Sequence, residues 1–161
     1  MTQYEITMQR AVIEALSGRE LDAMIAEHVM GFSRVQDLTY DYEHKQHGND
    51  VLVPPGVRWD DMPKPARGPI SLTYWVPAFS TEIDRAFDVV DAMVKRGVGI
   101  SCSVVGLPHA TADWGLLSSH PGHENTTLNL IDLPDPRPLR QRVATAICRV
   151  ALLALWKQNK L

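Results

Sequence analysis

The stretch TEIDRAFDVVDAMVKRGVGISCSVV (residues 81–105) predicts a helix followed directly by a strand. The helix, over residues 82–96, carries one apolar stripe, which is typical of a helix that covers a core: Ile83, Ala86, Phe87, Val90, Met93 and Val94. Thr81 is the predicted N-cap of this helix and Gly97 its predicted stop. Residues 98–105 are apolar on both sides of the strand alternation, which favours a buried, central strand.

Two helices are predicted before this unit. Residues 1–16 place apolar residues near one face, and a clearer amphipathic helix follows over residues 19–30. Ser17 and Glu20 have the spacing of a capping box, in which both side chains bond free amides at the start of a helix. Gly31 is a natural C-terminal stop. The second helix, like the helix over residues 82–96, is therefore expected to cover one face of a sheet.

A last helix is predicted over residues 139–157, and its middle is apolar nearly all round. A helix with that pattern is either the central buried helix of a domain or carries a subunit interface on its second face. We therefore expect either burial or a homo-oligomer formed through the 143–155 helix. Arg149, inside this segment, is expected to reach the surface or to pair with an acid, because an isolated buried charge is costly.

The rest of the chain predicts short strands and one long loop. Strands are expected at residues 51–53, 70–76, 114–117 and 127–131. A proline-rich loop is expected at about residues 33–69, because proline blocks regular structure. Interleaved helices and strands indicate an α/β fold, with α+β as the alternative, in one domain over residues 1–161. The predicted architecture is a small sheet covered by amphipathic helices.

Composition and charge argue against several classes of function. Of the 161 residues, 45% are hydrophobic and 22% are charged, and the formal net charge is −3, so no general attraction to nucleic acid or anionic lipid is expected. Cys102 and Cys148 each lie in an apolar run, and separated, buried thiols are typical of a reducing compartment. The first residues lack the pattern of a secretory signal, and no apolar run has the length of a bilayer span. We therefore expect a cytoplasmic protein without membrane association.

Three segments of the chain form a pattern through their order and combined length. They are GRELDAMIAEHVMGF (residues 18–32), VPAFSTEIDRAFDVVDAM (residues 76–93) and AICRVALLAL (residues 146–155). Together they resemble the phage ABA sandwich domain family, in which helices of the types "ELD…A…VMGW", "YST-I--A--VV" and "AICRAAL" occur in this order. Phe32 and Phe79 stand where that pattern has Trp and Tyr.

The resemblance implies an α-β-α layered sandwich and a bacteriophage or prophage origin, with the host cytoplasm as the compartment. It carries no established catalytic residues, so none is assigned, and no cofactor is expected. The long segment at residues 33–69 and the extended loop at residues 120–126 depart from the family pattern. Individual function is expected in such loops.

Aromatic and basic residues in or near the predicted loops are the candidate ligand-binding residues. They are Arg58, Trp59, Tyr74, Trp75, His109 and Trp114. Tryptophan faces stack on nucleobases, and arginine binds phosphate or carboxylate through paired N–H groups. Gathered at one sheet edge, these side chains would line a pocket for a nucleotide-like small molecule. The structural alternative is that the tryptophans close the core beneath long loops.

Motifs for a metal or a nucleophile are incomplete. His44/His47 and His120/His123 both have H-x-x-H spacing, but zinc needs a third ligand and residues that orient the rings. Solvated loop histidines are the alternative, and no metal is assigned. Cys102 lies in a predicted buried strand, so we interpret it as a core residue and not as a nucleophile.

These observations predict a non-catalytic binding protein. A phage-type protein of this kind would act in counter-defence, either by sequestering a nucleotide-derived signalling molecule or by masking a host protein. The alternatives are a structural or interaction subunit of a homo-oligomer and a metal-dependent hydrolase that uses the H-x-x-H pairs.

Overall fold

The computed structural model describes residues 3–40, 46–63, 70–103, 109–114, 124–129 and 137–158. Within these ranges four α-helices occur: α1 (Gln3–Ala15), α2 (Gly18–His28), α3 (Ile83–Val94) and α4 (Leu139–Lys157). Five strands accompany them: β1 (Ser33–Tyr40), β2 (Gln46–Val53), β3 (Val98–Ser103), β4 (His109–Trp114) and β5 (Glu124–Asn129). The predicted α/β fold of strands and covering helices is confirmed, as are the four predicted helices. None of the helices in the described ranges combines the length and the apolar character that crossing a bilayer requires.

The strands form two antiparallel sheets. β1 pairs with β2 in a hairpin, and a second sheet has the order β3-β4-β5. β3 is therefore an edge strand in the described part of the chain, and the prediction that it is central is wrong. One face of such a sheet packs on helices while the other meets solvent. Val98 of β3 is accordingly buried, whereas Ser101 is exposed.

The hairpin corrects the long loop predicted at about residues 33–69. The first half of that segment forms β1 and β2, in which polar residues fill so many positions that apolar alternation is weak. Arg34 of β1 ties the hairpin to its surroundings, since it forms ion pairs with Glu27 of α2 at 2.8 Å and Asp50 of β2 at 3.2 Å. Residues 54–63, which follow β2, are irregular apart from one 3-10 turn, Trp59–Asp61, as the prolines predict.

The strand predicted at residues 70–76 is a series of turns instead. The N–H of Tyr74 donates to the carbonyl of Ser71 at 3.1 Å, and the N–H of Val76 donates to the carbonyl of Thr73 at 3.1 Å. Hydrogen bonds between residues three positions apart form turns. They also occupy backbone N–H and C=O groups that a strand would use to pair with a neighbouring strand. The apolar residues at both ends of this segment are buried, so they anchor the turns and do not alternate across a sheet.

Helix α4 is the central helix of the fold. Every residue from Val143 to Trp156 is buried except Arg149, which is half-buried. α4 packs on β3, β4 and β5 and also contacts α1, α2 and α3. Of the two predicted alternatives, the structure therefore shows burial within one chain. Residues 143–155 keep no exposed apolar face. The subunit interface predicted on this helix is corrected to a place in the core, while oligomerisation itself stays a prediction.

Two arginines bind carbonyl groups at the ends of helices. Arg149 donates from Nε and Nη2 to the carbonyl of Leu16, just after α1, at 3.0 and 2.8 Å. Arg96 donates to the carbonyls of His28 and Val29 at the end of α2, at 2.8 Å each. The last carbonyls of a helix are unpaired and carry partial negative charge, so a guanidinium stabilises them. An ion pair of Arg149 with an acid stays a prediction.

The predicted helix stops are confirmed, whereas the caps are confirmed only in the position of Ser17. Gly31 and Gly97 have φ of 76° and 79°, in the left-handed region that glycine enters without a steric penalty. Ser17 occupies the N-cap position of α2, but its side chain makes no capping hydrogen bond. Glu82, and not Thr81, occupies the N-cap position of α3.

Candidate functional site

Three of the six candidate ligand-binding residues are joined by two ring contacts, both of which Trp75 makes. The ring centroids of Trp59 and Trp75 are 5.5 Å apart, with 79° between the ring planes. Those of Tyr74 and Trp75 are 5.1 Å apart, with 81° between the planes. Both pairs have the edge-to-face geometry that aromatic rings favour. Trp75 is thus the middle member of an aromatic cluster consisting of Trp59, Tyr74 and Trp75.

The aromatic cluster rests on a small apolar core next to the β1–β2 hairpin. This core contains four buried side chains: Val51, Val53, Met62 and Ile70. Trp59 and Trp75 pack against it. Trp59 comes from the 3-10 turn after β2, and the other two rings come from the turns that replace the predicted strand. Irregular segments therefore carry the cluster, and strand β2 supplies part of the base on which it sits.

The aromatic cluster includes one accessible ring and one unsatisfied donor. Tyr74 is 52% exposed, so its ring is open to a ligand. Nε1 of Trp75 is buried without a hydrogen-bond partner among the described residues, and an unpaired buried donor costs about 1–3 kcal/mol. The structural alternative accounts for the two indoles, because both close the small core. It does not account for the exposed tyrosine.

Arg58 precedes the cluster residue Trp59 and lies at the surface. Its side chain is 76% exposed, and its Nη2 lies 3.4 Å from Oδ2 of Asp60 while its Nε lies 4.0 Å from Oδ2 of Asp61. Exposed ion pairs at such distances contribute little, so this guanidinium can exchange a carboxylate for an anionic group of a ligand. The two acids also lower the local positive potential, which disfavours ligands with several negative charges.

The remaining two candidates belong to the other sheet. His109 and Trp114 are the first and last residues of β4. A strand rises about 3.4 Å per residue, so their backbones lie about 17 Å apart. The single pocket for all six residues stays a prediction. The structure brings Trp59, Tyr74 and Trp75 together and places the other two aromatic positions at opposite ends of a separate strand.

A buried polar network, which the sequence analysis missed, joins α2, α4 and the segment before α3. Asp22 of α2 is 1% exposed, and its Oδ1 accepts a hydrogen bond from the N–H of Ser80 at 2.7 Å. The hydroxyl of Ser80 donates to the carbonyl of Gly18 at 3.2 Å, and the carbonyl of Ser80 accepts from Oγ1 of Thr145 at 2.8 Å. Oδ2 of Asp22 pairs with Nη1 of Arg19 at 3.1 Å. Burial of these polar groups is tolerated because they are bonded to one another.

Arg19 links this network to the aromatic cluster. Its Nη2 donates to the carbonyls of Thr73 and Val76, the second at 2.7 Å, and its Nε donates to the hydroxyl of Thr73 at 3.3 Å. These two carbonyls flank Tyr74 and Trp75 in the sequence. A guanidinium fixed by a carboxylate has little freedom left, so Arg19 holds the turn that presents the two rings.

The two cysteines lie in different environments. Cys148 of α4 is buried as predicted, and this burial, together with the charge of Asp22, raises the pKa of its thiol. Cys102 is exposed on β3, so its predicted core position is wrong, because β3 is an edge strand. Partial desolvation raises the pKa of the Cys102 thiol as well. A nucleophilic cysteine needs the opposite shift, toward the thiolate.

The predicted histidine pairs fall mainly outside the described residues. His44, His120 and His123 lie there, and His47 is placed opposite Thr39 in the hairpin register. Over the described ranges, no group of three or more His, Cys, Asp and Glu residues is arranged to hold a metal ion. The alternative of a metal-dependent hydrolase that uses both pairs gains no support from the described residues.

The aromatic cluster and the network behind it are the features of the described residues that point to binding. Comparison of the chain with family models, with curated proteins and with solved structures found no match.

Proposed function

We propose that the protein is a non-catalytic binding protein whose aromatic cluster takes a flat, ring-containing small molecule of the nucleotide class. The observation that carries this proposal is the contact of three aromatic rings of which one, Tyr74, is half-exposed. Stacking of a base on an aromatic side chain contributes about 1–3 kcal/mol. A ring held in place before binding loses little conformational entropy when the ligand arrives.

The charges near the cluster favour a ligand with few negative groups. Arg58 is the cation next to the cluster in the sequence, and it is already shared between Asp60 and Asp61. One anionic group can compete for this arginine, whereas several would meet the two carboxylates. A cyclic mononucleotide fits this balance better than a nucleoside triphosphate does.

The biological role in the proposal is counter-defence, in which the protein sequesters a nucleotide-derived signalling molecule in the cytoplasm of a phage host. This part rests on the resemblance of three segments to the phage ABA sandwich domain family and on the lack of a catalytic motif in the sequence. The buried polar network supports a shared role for these segments. Asp22 and Ser80 belong to the first two segments, and Thr145 directly precedes the third.

Recovery of a bound molecule from cell extract tests the proposal. Purified protein is incubated with bacterial extract, washed and heat-denatured, and the released molecules are analysed by mass spectrometry. We expect a nucleotide derivative from the wild-type protein and about tenfold less from Tyr74→Ala, since about 1.4 kcal/mol of stacking corresponds to a factor of ten. Phe87→Ala removes an exposed ring from α3 and should release as much as the wild type. Release of no nucleotide derivative, or equal release from Tyr74→Ala, would contradict the proposal.

A further inference from the structure

Helix α3 lies at the edge of the sheet that it helps to cover. α4 packs on β3, β4 and β5, while α3 packs beside α4 and against the edge strand β3. Packed helices lie about 8–10 Å apart and neighbouring strands about 4.8 Å apart. Two adjacent helices therefore cover about three to four strands, and this sheet has three in the described ranges. α3 therefore lies next to the edge of the sheet that β3 forms in the described part of the chain.

One exposed side of α3 is apolar. Phe87 and Val94 are 56% and 55% exposed, and they lie seven residues apart, which is two turns along the same side of a helix. Ile83 and Val90 continue this stripe and are half-buried against the core. Apolar residues aligned on one exposed surface mark an interaction site more often than single, scattered ones do. These four residues form the α3 stripe.

The edge of β3 lacks the features that usually protect such edges. Its sequence, VGISCS, contains no charged residue and no proline, and charges or prolines commonly prevent an edge strand from pairing with another chain. Ser101 and Cys102 are exposed. In the described part of the chain, β3 has a neighbouring strand on one side only. No described residue pairs with its other side, whose main-chain groups an added strand would bond.

We propose that the edge of β3 and the α3 stripe together bind an extended segment of a partner protein, which adds a fourth strand to the sheet. In this mode main-chain bonds to the edge strand provide affinity, and alternate side chains of the added segment provide specificity. Its apolar side chains would pack on Phe87 and Val94. Asp84 and Asp91 are exposed on α3, and Lys95 directly follows it. Arg85 is paired with Asp88. This surface therefore has a small acidic excess, which basic residues at other positions of the segment complement. The site is separate from the aromatic cluster and does not depend on the proposed small-molecule function.

A second copy of this chain does not fit the same edge. If β3 of two copies paired in antiparallel fashion, the two-fold axis between them would be perpendicular to the joined sheet. The helix-covered faces of both copies would then lie on the same side of that sheet, and so would both copies of α3. The two copies of α3 would then compete for the space above the paired edge strands, because each contacts its own β3 and packed helices need about 8–10 Å between their axes. The occupant is therefore an extended segment that carries no helix of its own at this position.

Selection from a random library of eight-residue peptides on the full chain tests the proposal. We expect enriched sequences in which apolar residues alternate with other residues, with Lys or Arg among the latter. Their affinity should fall at least about tenfold for Phe87→Ser and Val94→Ser, a change equivalent to about 1.4 kcal/mol. Val12→Ser is the matched control, because Val12 is 60% exposed on α1 and should leave peptide binding unchanged. Tyr74→Ala should also leave it unchanged, which separates this site from the small-molecule site.

Hydrogen exchange measured by mass spectrometry locates the bound peptide. We expect slower exchange of the amides at residues 98–103 when an enriched peptide is added. A library that yields no alternating sequences, affinity that persists in Phe87→Ser, or protection confined to other segments would overturn the proposal. Concentration-dependent dimerisation that Phe87→Ser abolishes would overturn it as well, in favour of a second copy.

Discussion

Nη1 of Arg19 lies 3.1 Å from Oδ2 of Asp22, and this pair connects the core of the protein to its candidate binding surface. Asp22 is buried and fixed by the N–H of Ser80, whereas Arg19 is exposed and reaches the turn between Thr73 and Val76. The buried carboxylate thus orients the guanidinium, and the guanidinium holds the turn that carries two of the three clustered rings.

Replacing Asp22 with alanine should lower the free energy of unfolding by about 2–4 kcal/mol, because the buried N–H of Ser80 loses its acceptor and a charged hydrogen bond is removed. Urea denaturation measures this change. Asp84→Ala, at an exposed position of α3, is the control and should change stability by no more than about 0.5 kcal/mol. Similar losses in the two variants would show that the network does not stabilise the core.

Replacing Arg19 with methionine should loosen the turn that carries Tyr74 and Trp75 and lower the free energy of unfolding by about 2–3 kcal/mol, because the buried carboxylate of Asp22 loses its cation. The methionine keeps much of the apolar stem but donates no hydrogen bond to the carbonyls. Acrylamide quenching of tryptophan fluorescence should increase. Arg85→Met, on the exposed side of α3, should leave quenching unchanged. Equal quenching in Arg19→Met and the wild type would mean that the turn keeps its conformation without the hydrogen bonds from Arg19.

Replacing Thr145 with valine should cost about 1–2 kcal/mol, because the shape is preserved while the carbonyl of Ser80 loses its hydroxyl donor in the core. Thermal unfolding followed by circular dichroism measures the loss. The hydroxyl also accepts a bond from Nη1 of Arg137 at 3.1 Å, so the network loses two bonds together. Thr81→Val, at a half-buried position outside the network, should remain within about 0.5 kcal/mol of the wild type. If Thr145→Val unfolds at the same temperature as the wild type, the polar network does not stabilise the core as proposed.

The raised pKa of Cys148 should make stability depend on alkaline pH. The unfolded thiol loses its proton near its ordinary pKa of 9.0, while the folded thiol keeps it, because burial raises its pKa. The unfolded state therefore binds fewer protons above pH 9.0, and the free energy of unfolding falls by up to about 1.4 kcal/mol per pH unit. Urea denaturation at several alkaline pH values gives the free energy of unfolding at each pH. This free energy should fall less steeply with pH for Cys148→Ala than for the wild type. The same pH dependence in both proteins would refute the assignment of this effect to the Cys148 thiol.

Helices were predictable from the sequence because their pattern is local. The last helix was placed at the observed residues, 139–157, and the glycine stops after two other helices were also correct. Strands were harder, because the hairpin is polar and the apolar segment at residues 70–76 makes turns whose ends are buried. The central position predicted for β3 failed because strand order depends on pairing between distant parts of the chain.

The candidate site was predictable only in part, because the sequence shows the chemistry of the residues but not which distant residues come together. Trp59, Tyr74 and Trp75 were selected for their chemistry, and the structure groups them, but no local pattern indicates that His109 and Trp114 lie at opposite ends of one strand. The network was missed because its bonds join residues 58 and 65 positions apart. An acid next to the apolar stripe of a helix was the one signal that could have indicated it.

Calorimetric titration with cyclic mononucleotides of the four common bases tests the central claim most directly. The account predicts saturable heat for at least one of them, about tenfold weaker affinity in Tyr74→Ala, and unchanged affinity in Phe87→Ala. Absence of heat with all four, or equal affinity in Tyr74→Ala and the wild type, would contradict the claim that the cluster of Trp59, Tyr74 and Trp75 is the binding site.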